Sequence, residues 1–223
     1  MPKPFDGVRV LDFTQGMPGA VTTMVMADYG ADVIKIERPG GDPFRVMPAS
    51  CQWDRGKRSV VVDLKTDQGR RNVAKFARNA DVVVESFRPG VSERLGTDRV
   101  TLEKDRSDLI YCSITGWGPK GPYARYKAYD AMVQAKSGRM LFYAGQTRRE
   151  GPHYSAVAVA SHAASMAALR GVTAALMVRE VTGQGQTVET SLLQGLSYYD
   201  WIQWMTWQMM ERDPEHYPSD NLL

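Results

Sequence analysis

The sequence is poor in the residues that build disulfide frameworks and metal sites. Its 223 residues include two cysteines, Cys51 and Cys112, which are too few for the disulfide network of a small secreted domain. The three histidines, His153, His162 and His216, do not stand at metal-ligand spacing from either cysteine. We therefore expect no disulfide framework, no metal site, and a chain that works in a reducing cytoplasm.

The chain also has no membrane signal and little excess charge. No apolar run reaches the length of about 18 residues that a transmembrane helix needs, and the first residues contain no apolar region of a signal peptide. We therefore expect no membrane association. The formal net charge of +3 and the scattered basic residues suit a small anionic ligand but are too weak for a nucleic-acid-binding surface.

The sequence does contain a regular alternation of short β-rich runs and longer helical patterns. The runs predict six strands, at residues 8–13, 32–37, 59–64, 81–86, 109–114 and 186–190. The helical patterns lie at residues 20–29, 66–79, 161–180 and 192–211. This order predicts an α/β fold with a mostly parallel sheet and flanking helices. The first strand–helix turn, residues 14–19, is not GxGxxG and gives no support to a dinucleotide site.

The last predicted helix is apolar on almost every face. It carries large apolar side chains all round: Tyr198, Tyr199, Trp201, Trp204, Met205, Trp207, Met209 and Met210. A helix of this kind requires burial on all sides. Two explanations stay open, since either the rest of the same domain covers the helix or a second half or partner chain does.

Seven segments of the chain, in order, carry a family resemblance. They are PFDGVRVLDFT, GADVIKIERPGGD, DRGKRSVVVDLKT, ADVVVESFRPG, LIYCSITGWG, YKAYDAMVQAKSG and VREVTGQGQTVETSL. Together they resemble the class III coenzyme A transferases, the CaiB/BaiF family. The resemblance implies a Rossmann-like large domain, a smaller domain, and two chains that interlock as a dimer.

Members of that family are roughly twice as long, so the resemblance implies that this chain is an N-terminal half. We expect residues 1–195 to form the coenzyme A-binding large domain. We expect residues 196–223 to form an apolar helix that leads toward a missing second half or a partner. The partner implied is a related family chain in a homo- or hetero-oligomer.

The resemblance also implies which residues contact coenzyme A or acyl-coenzyme A, the expected substrate. These residues are Arg38, Lys65, Phe87, Arg94, Lys127 and Tyr129. Guanidinium and ammonium groups suit the phosphates of this ligand. Without the family, the Arg38 and Arg94 side chains would be ordinary solvated charges. The racemase branch has a histidine where Tyr129 stands, which argues against racemisation.

Ser161 stands where the family has its catalytic aspartate. That carboxylate attacks the acyl thioester, forms a mixed anhydride and then carries the coenzyme A thioester. A serine hydroxyl provides no carboxyl carbon for these intermediates, so we expect Ser161 to be catalytically silent. The alternative is a purely structural role, in which Ser161 is the N-cap of the helix predicted at residues 161–180. A Ser161–His162 hydrolase is disfavoured, because adjacent side chains on a helix diverge by about 100°. Asp130 is expected to be structural.

Three functional hypotheses follow. The chain is a subunit or half of a coenzyme A transferase whose reactive aspartate lies on a partner chain. Alternatively, it is a non-catalytic module that binds coenzyme A esters, or it takes part in a different acyl-coenzyme A reaction, such as a lyase or isomerase reaction. The sequence does not name the acyl group.

Overall fold

A computed structural model describes residues 1–104, 106–143 and 148–217. These residues contain one six-stranded sheet in the order β3-β2-β1-β4-β5-β6, and every strand pair is parallel. The strands are β1 Arg9–Asp12, β2 Asp32–Glu37, β3 Arg58–Val61, β4 Val82–Glu85, β5 Ile110–Thr115 and β6 Thr187–Ser191. The predicted α/β fold with a parallel, Rossmann-like sheet is confirmed.

Eight α-helices connect or follow these strands in the described residues. They are α1 Met17–Asp28, α2 Ser50–Trp53, α3 Asp67–Ala77, α4 Val91–Leu95, α5 Arg99–Leu102, α6 Asp130–Lys136, α7 Val159–Thr182 and α8 Leu192–Arg212. Two short 3₁₀ turns lie at Pro43–Val46 and Arg139–Tyr143. None of the described helices is both long and apolar enough to cross a membrane.

Both faces of the sheet are covered by helices. Since successive strand residues point to opposite faces, Val10 and Val82 face one hydrophobic core, which α1, α7 and α8 complete. Leu11 and Val83 face a second core, which contains Val73 and Ala77 of α3. This double cover explains why the central strands are apolar without interruption rather than alternating.

The start of α1 lies three residues earlier than the periodicity predicts. The helix begins at Met17 rather than near Ala20, with Pro18 in its first turn. Gly16 has a φ of 74° at the N-cap, a left-handed conformation that other residues adopt only with strain. Proline is favoured at a helix start because the first amides have no intrahelical acceptor. The turn after β1 is therefore short and tightly fixed.

The structure contradicts the N-cap interpretation of Ser161. Helix α7 begins at Val159, and its N-cap is Ala158, which makes no side-chain capping bond. Ser161 is thus the third residue of the helix, and it is buried. Its backbone amide, one of the amides that lack an intrahelical acceptor, donates instead to Oδ2 of Asp130 over 2.6 Å.

Helix α8 crosses the expected division between residues 195 and 196. It runs without interruption from Leu192 to Arg212, and Leu192, Leu196 and Asp200 are buried. On another face Trp201 and Ile202 are 53% and 57% exposed. The rest of the same domain therefore covers one face of this helix, which is the first of the two explanations given above for its apolar surface. The division into two domains stays a prediction, and residues 218–223 of its second part lie outside the described residues.

Candidate functional site

The expected ligand-binding residues follow the carboxyl ends of neighbouring strands. Arg38 comes directly after β2, Lys65 lies beyond β3, and Phe87 lies just beyond β4. All the strands are parallel, so their carboxyl ends share one edge of the sheet. In sheets of this order, ligands bind outside the carboxyl ends, where the chain switches from one side of β1 to the other. Here that switch point lies between β1 and β4.

The two loops at the switch point contact each other. The backbone amide of Gln15, after β1, donates to Oγ of Ser86, after β4, over 3.1 Å. The amide of Phe87 donates to Oε2 of Glu85 over 2.6 Å. The half-buried Phe87 ring packs against the core that contains Leu11. These contacts fix the Phe87 ring beside the crevice.

Glu85 is a titratable group at this edge that the sequence interpretation missed. It ends β4 and is buried. Burial raises its pKa to about 7, although hydrogen bonds from Ser113 and the Phe87 amide favour the charged form. Such a carboxyl group can hold or release a proton near neutral pH. The one signal in the sequence was a carboxylate directly after three valines, at a position where a buried strand usually has an apolar residue.

Four expected phosphate contacts present exposed cations. Arg38, Lys65, Arg94 and Lys127 are all exposed. Within the described part of the chain, no carboxylate lies within 4.0 Å of any of these four. Arg38 donates to its own loop, from Nε to the Gly41 carbonyl over 3.2 Å.

Several other cations in the same half of the sheet are paired. Arg55 contacts Asp28, and Arg58 contacts Asp32 over 2.6 Å. Pairing of this kind is the usual arrangement for surface charges and is worth little energetically. The cations at the carboxyl edge instead leave their charge available for an anion.

The helix that carries Ser161 packs against the start of α1. The hydroxyl of Ser165, one turn further along α7, donates to the Pro18 carbonyl over 2.6 Å. The Thr22 hydroxyl of α1 donates back to the Ser165 carbonyl over 3.2 Å. The start of α7 is therefore held against the start of α1, next to the switch point. Ser161 is buried while His162 is exposed, which is the divergence expected for neighbours on a helix.

Lys127 and Tyr129 lie just before α6, and the first residue of α6 contacts the start of α7. Tyr129 is 57% exposed and is the N-cap of α6. The next residue, Asp130, makes the hydrogen bond to the Ser161 amide. Asp130 thus stabilises the start of α7, which is the structural role expected for it. The carbonyl of Lys127 accepts a hydrogen bond from Nε1 of Trp117 over 3.4 Å.

A buried ionic network supports the turn after β1, and the sequence interpretation did not foresee it. The carboxylate of Asp12 accepts bonds from the Thr14 hydroxyl, the Thr23 hydroxyl and Nζ of Lys57. Burial by itself would raise the pKa of Asp12, but Lys57 and the two hydroxyls together lower it. Asp12 is therefore charged in the folded protein. Breaking such a pair leaves an uncompensated buried charge, so the network fixes this turn.

Comparison with known protein families gives one match that extends over almost the whole chain. The family model described as CoA-transferase family III matches residues 5–221. The chain belongs to this family. The family membership that the sequence resemblance implied is thereby confirmed, whereas the smaller domain and the interlocked dimer stay predictions.

Two relatives and one solved structure illustrate the match. The chain is 37% identical to the CoA-transferase/lyase DddD of Marinomonas sp. (strain MWYL1), over 98% of this chain and 27% of that protein. It is 37% identical to the acetyl-CoA:oxalate CoA-transferase of Acetobacter aceti, over 95% of this chain and 56% of that protein. A solved CaiB/BaiF family protein from Brucella suis superimposes with a TM-score of 0.86 at 32% identity, over 95% and 59% of the respective chains.

The chain spans only part of the length of each of these relatives. It spans 27% of one matched relative and 56% of the other. It therefore corresponds to about half of a typical relative or less. The activity of a complete family protein does not transfer directly to these residues.

Proposed function

We propose that this chain is the coenzyme A-binding half or subunit of a coenzyme A transferase that acts on an acyl-coenzyme A and a carboxylic acid. The observation that carries the proposal is a set of exposed cations with no carboxylate partner among the described residues. Arg38 and Lys65 follow strand ends at one edge of the sheet, Arg94 lies in α4, and Lys127 lies just before α6. Coenzyme A is an anion through its phosphates. Unpaired guanidinium and ammonium groups beside a switch-point crevice are suited to such a ligand.

In this proposal Phe87 and Tyr129 line the path of the ligand, and Ser161 stands at the end of that path. Phe87 is held by the Glu85–amide bond, so its ring is a fixed apolar contact. Ser161 provides no carboxyl carbon, so the chain alone cannot form the anhydride and thioester intermediates of the family reaction. The reactive aspartate then comes from a partner chain.

Two other functions have specific support. A module that binds coenzyme A esters without chemistry fits the same cations and the same serine. A different acyl-coenzyme A reaction is supported by one relative, which is named a transferase/lyase. Both share the coenzyme A site and differ from the first proposal only in the chemistry that follows binding.

Calorimetric titration of coenzyme A tests the shared binding site. Arg38→Ala and Lys65→Ala should each weaken binding by about fivefold, since an exposed phosphate contact contributes about 1 kcal/mol. Lys75→Ala is the matched control. It removes one exposed charge from the last turn of α3, which runs back toward the opposite edge of the sheet. Unchanged affinity in both test variants would remove these two residues from the site.

A further inference from the structure

One buried carboxylate of the chain, Glu85, differs from the others in having no cation beside it. The described residues bury five carboxylate side chains, which are Asp12, Glu37, Asp42, Glu85 and Asp200. Four of these five form ion pairs, in the combinations Asp12–Lys57, Glu37–Arg45, Asp42–Lys35 and Asp200–Arg139. Glu85 takes part in none of the ion pairs of the described residues. Buried charges are normally paired, so Glu85 is the exception that needs a separate explanation.

The described groups that act on Glu85 are neutral or negatively charged. Burial is the main cause of its raised pKa, and Glu93 of α4 adds like-charge repulsion. On β5, burial and the charge of Glu85 raise the pKa values of Tyr111 and Cys112, so both stay neutral at pH 7. In the core beside Glu85, β1 and α3 contribute apolar side chains, which are Leu11, Phe13, Val73 and Ala77. The charge state of Glu85 therefore responds to any charge that is added nearby.

Glu85 begins the segment that carries two of the expected coenzyme A contacts, Phe87 and Arg94. Its Oε2 atom accepts the hydrogen bond from the Phe87 amide. Arg94 follows in the five-residue helix α4. Glu93, whose charge acts on Glu85, is the neighbour of Arg94 in this helix. A ligand held by this segment therefore lies within the electrostatic reach of Glu85.

A bound anion at this segment favours the protonated form of Glu85. The phosphates of coenzyme A add negative charge, which acts on the carboxyl group in the same direction as Glu93 does. One unit charge about 10 Å away changes an acid dissociation constant by about tenfold at the effective dielectric constant of a protein. Protonation removes the charge and leaves the other carboxyl oxygen free to accept the Phe87 amide bond. The turn is therefore kept while the repulsion is relieved.

We propose that Glu85 is a positioning residue that takes up a proton when coenzyme A binds, and that it holds the Phe87 turn in both protonation states. The proton comes from the solvent, and no bond of the ligand changes. Because binding and protonation favour each other to the same extent, the affinity for coenzyme A should fall as the pH rises through the folded pKa of about 7 and above it. This inference rests on the proposed coenzyme A site and adds a proton to its binding equilibrium.

Calorimetric titration of coenzyme A in Hepes and in Tris, two buffers with different ionisation enthalpies, counts the protons taken up. The sample is the chain together with any partner chain that co-purifies with it. At pH 7.5 the wild-type protein should take up about half a proton more than Glu85→Gln, for a tenfold change in the dissociation constant of the acid. Glu85→Gln is nearly isosteric, cannot titrate, and retains an oxygen that can accept the Phe87 amide bond.

The pH profile of binding gives a second readout. The affinity of the wild-type protein divided by that of Glu85→Gln should fall about fivefold between about pH 6.5 and about pH 8.5. The ligand's own phosphate, which titrates near about pH 6, affects both proteins alike and cancels in this ratio. Glu180→Gln, which removes an exposed carboxylate near the end of α7, is the matched control and should leave the profile and the proton count unchanged.

Two further variants separate titration from a purely structural role of Glu85. Ser113→Ala removes a hydrogen bond that favours the charged form of Glu85, so the proton uptake should shift to higher pH. Glu93→Gln removes the like-charge repulsion, so the uptake should shift to lower pH. A residue that only supports packing would not produce these opposite shifts.

Three results would overturn the inference. Equal proton counts in the wild-type protein and in Glu85→Gln, with coenzyme A bound by both, would do so and would leave the proposed function intact. An affinity ratio that does not fall with pH would have the same meaning. If Glu85→Gln does not fold, proton uptake at the same pH in the wild type, Ser113→Ala and Glu93→Gln would also overturn it. Failure of the folded wild-type protein to bind coenzyme A across this pH range would refute the proposed function, and this inference with it.

Discussion

Ser161 is the position at which a carboxylate would restore the reactive group of the family. Ser161→Asp puts a negative charge in the first turn of α7, where the helix dipole stabilises it by up to about 1 kcal/mol. Asp130 already accepts the Ser161 amide bond, so repulsion between the two carboxylates will raise the pKa of one of them. We expect the variant to fold and to form an acyl adduct with acyl-coenzyme A, which the wild-type chain does not form.

Trapping with hydroxylamine followed by mass measurement detects the adduct. Ser161→Asn is the matched control, because it has nearly the same shape as aspartate and lacks the nucleophilic carboxylate. An adduct on Ser161 in the wild-type chain would show that the hydroxyl itself reacts. An absence of adduct in Ser161→Asp would show that a carboxylate at this position is not enough for chemistry in these residues.

Glu85 should make stability depend on pH. Its folded pKa of about 7 lies above its ordinary value of 4.5, so the folded chain binds more protons than the unfolded chain between these values. The contribution is therefore fully present below about pH 4.5 and is lost as the pH rises through about 7. Glu85→Gln, which resembles the protonated form, should flatten this dependence by up to about 3 kcal/mol.

Urea unfolding at pH 5 and pH 8 measures this effect. Glu180→Gln is the control, because Glu180 is an exposed carboxylate near the end of α7 and should leave the pH dependence nearly unchanged. A wild-type chain and a Glu85→Gln variant with parallel pH profiles would contradict the assignment.

At the residue scale, the sequence predicted which side chains lie at the candidate site, but it did not predict their burial or their hydrogen-bond partners. The motif matches selected Arg38, Lys65 and Phe87, and the structure places all three after strand ends at one edge. The motifs could not reveal that Glu85 is buried, because burial depends on which loop covers the end of β4. They also could not reveal the cap on α7, because the acceptor, Asp130, is distant in sequence and close only in the fold.

At the scale of elements, helix α8 packs tightly on α7 at Gly195. A Cβ atom added there would lie 2.8 Å from the Cα atom of Ala164 in α7. Because that neighbour is backbone, Gly195→Ala must push α8 away from α7. We expect a loss of about 1 to 3 kcal/mol in the free energy of unfolding, the usual cost of overpacking.

Urea denaturation measures the loss. Gln194→Ala, an exposed change one residue earlier on α8, is the control and should change stability by less than about 0.5 kcal/mol. Equal midpoints for the two variants would mean that α8 does not pack on α7 in solution as it does here.

The long elements were predictable from sequence, and the short ones were not. Strand β2 has the predicted bounds, and α7 and α8 differ from the predicted helices by about one turn or less. Their periodicity extends over enough residues to identify them. Helices α2, α4 and α5 span four or five residues each, which is too short for a repeating pattern, so only tertiary packing determines them.

At the scale of the whole molecule, the exposed face of α8 predicts association. Tyr198, Trp201, Ile202 and Met205 are all about half exposed or more. A contiguous apolar surface of this kind usually marks an interface. We expect the chain not to persist as a soluble monomer at micromolar concentration. Trp201→Glu together with Ile202→Lys should shift the chain toward smaller species without unfolding it, since neither side chain belongs to the core.

Static light scattering on a sizing column measures the mass. The control is the pair Tyr29→Glu and Val46→Lys, two exposed apolar residues far from α8 in sequence, and this pair should leave the mass unchanged. A wild-type chain that elutes as a stable monomer would show that the α8 face needs no partner.

The order of the sheet has a consequence for the time course of folding. Strands β1, β2 and β3 are neighbours both in sequence and in the sheet, whereas β6 pairs with β5 across the long segment that contains α6 and α7. Contacts between distant segments form slowly because a large loop must close first. During synthesis, the loops that carry Arg38, Lys65 and Arg94 therefore leave the ribosome before Ser161 does. We expect the β1–β2–β3 half of the sheet and helix α7 with its strand β6 to assemble as separate kinetic steps, in that order.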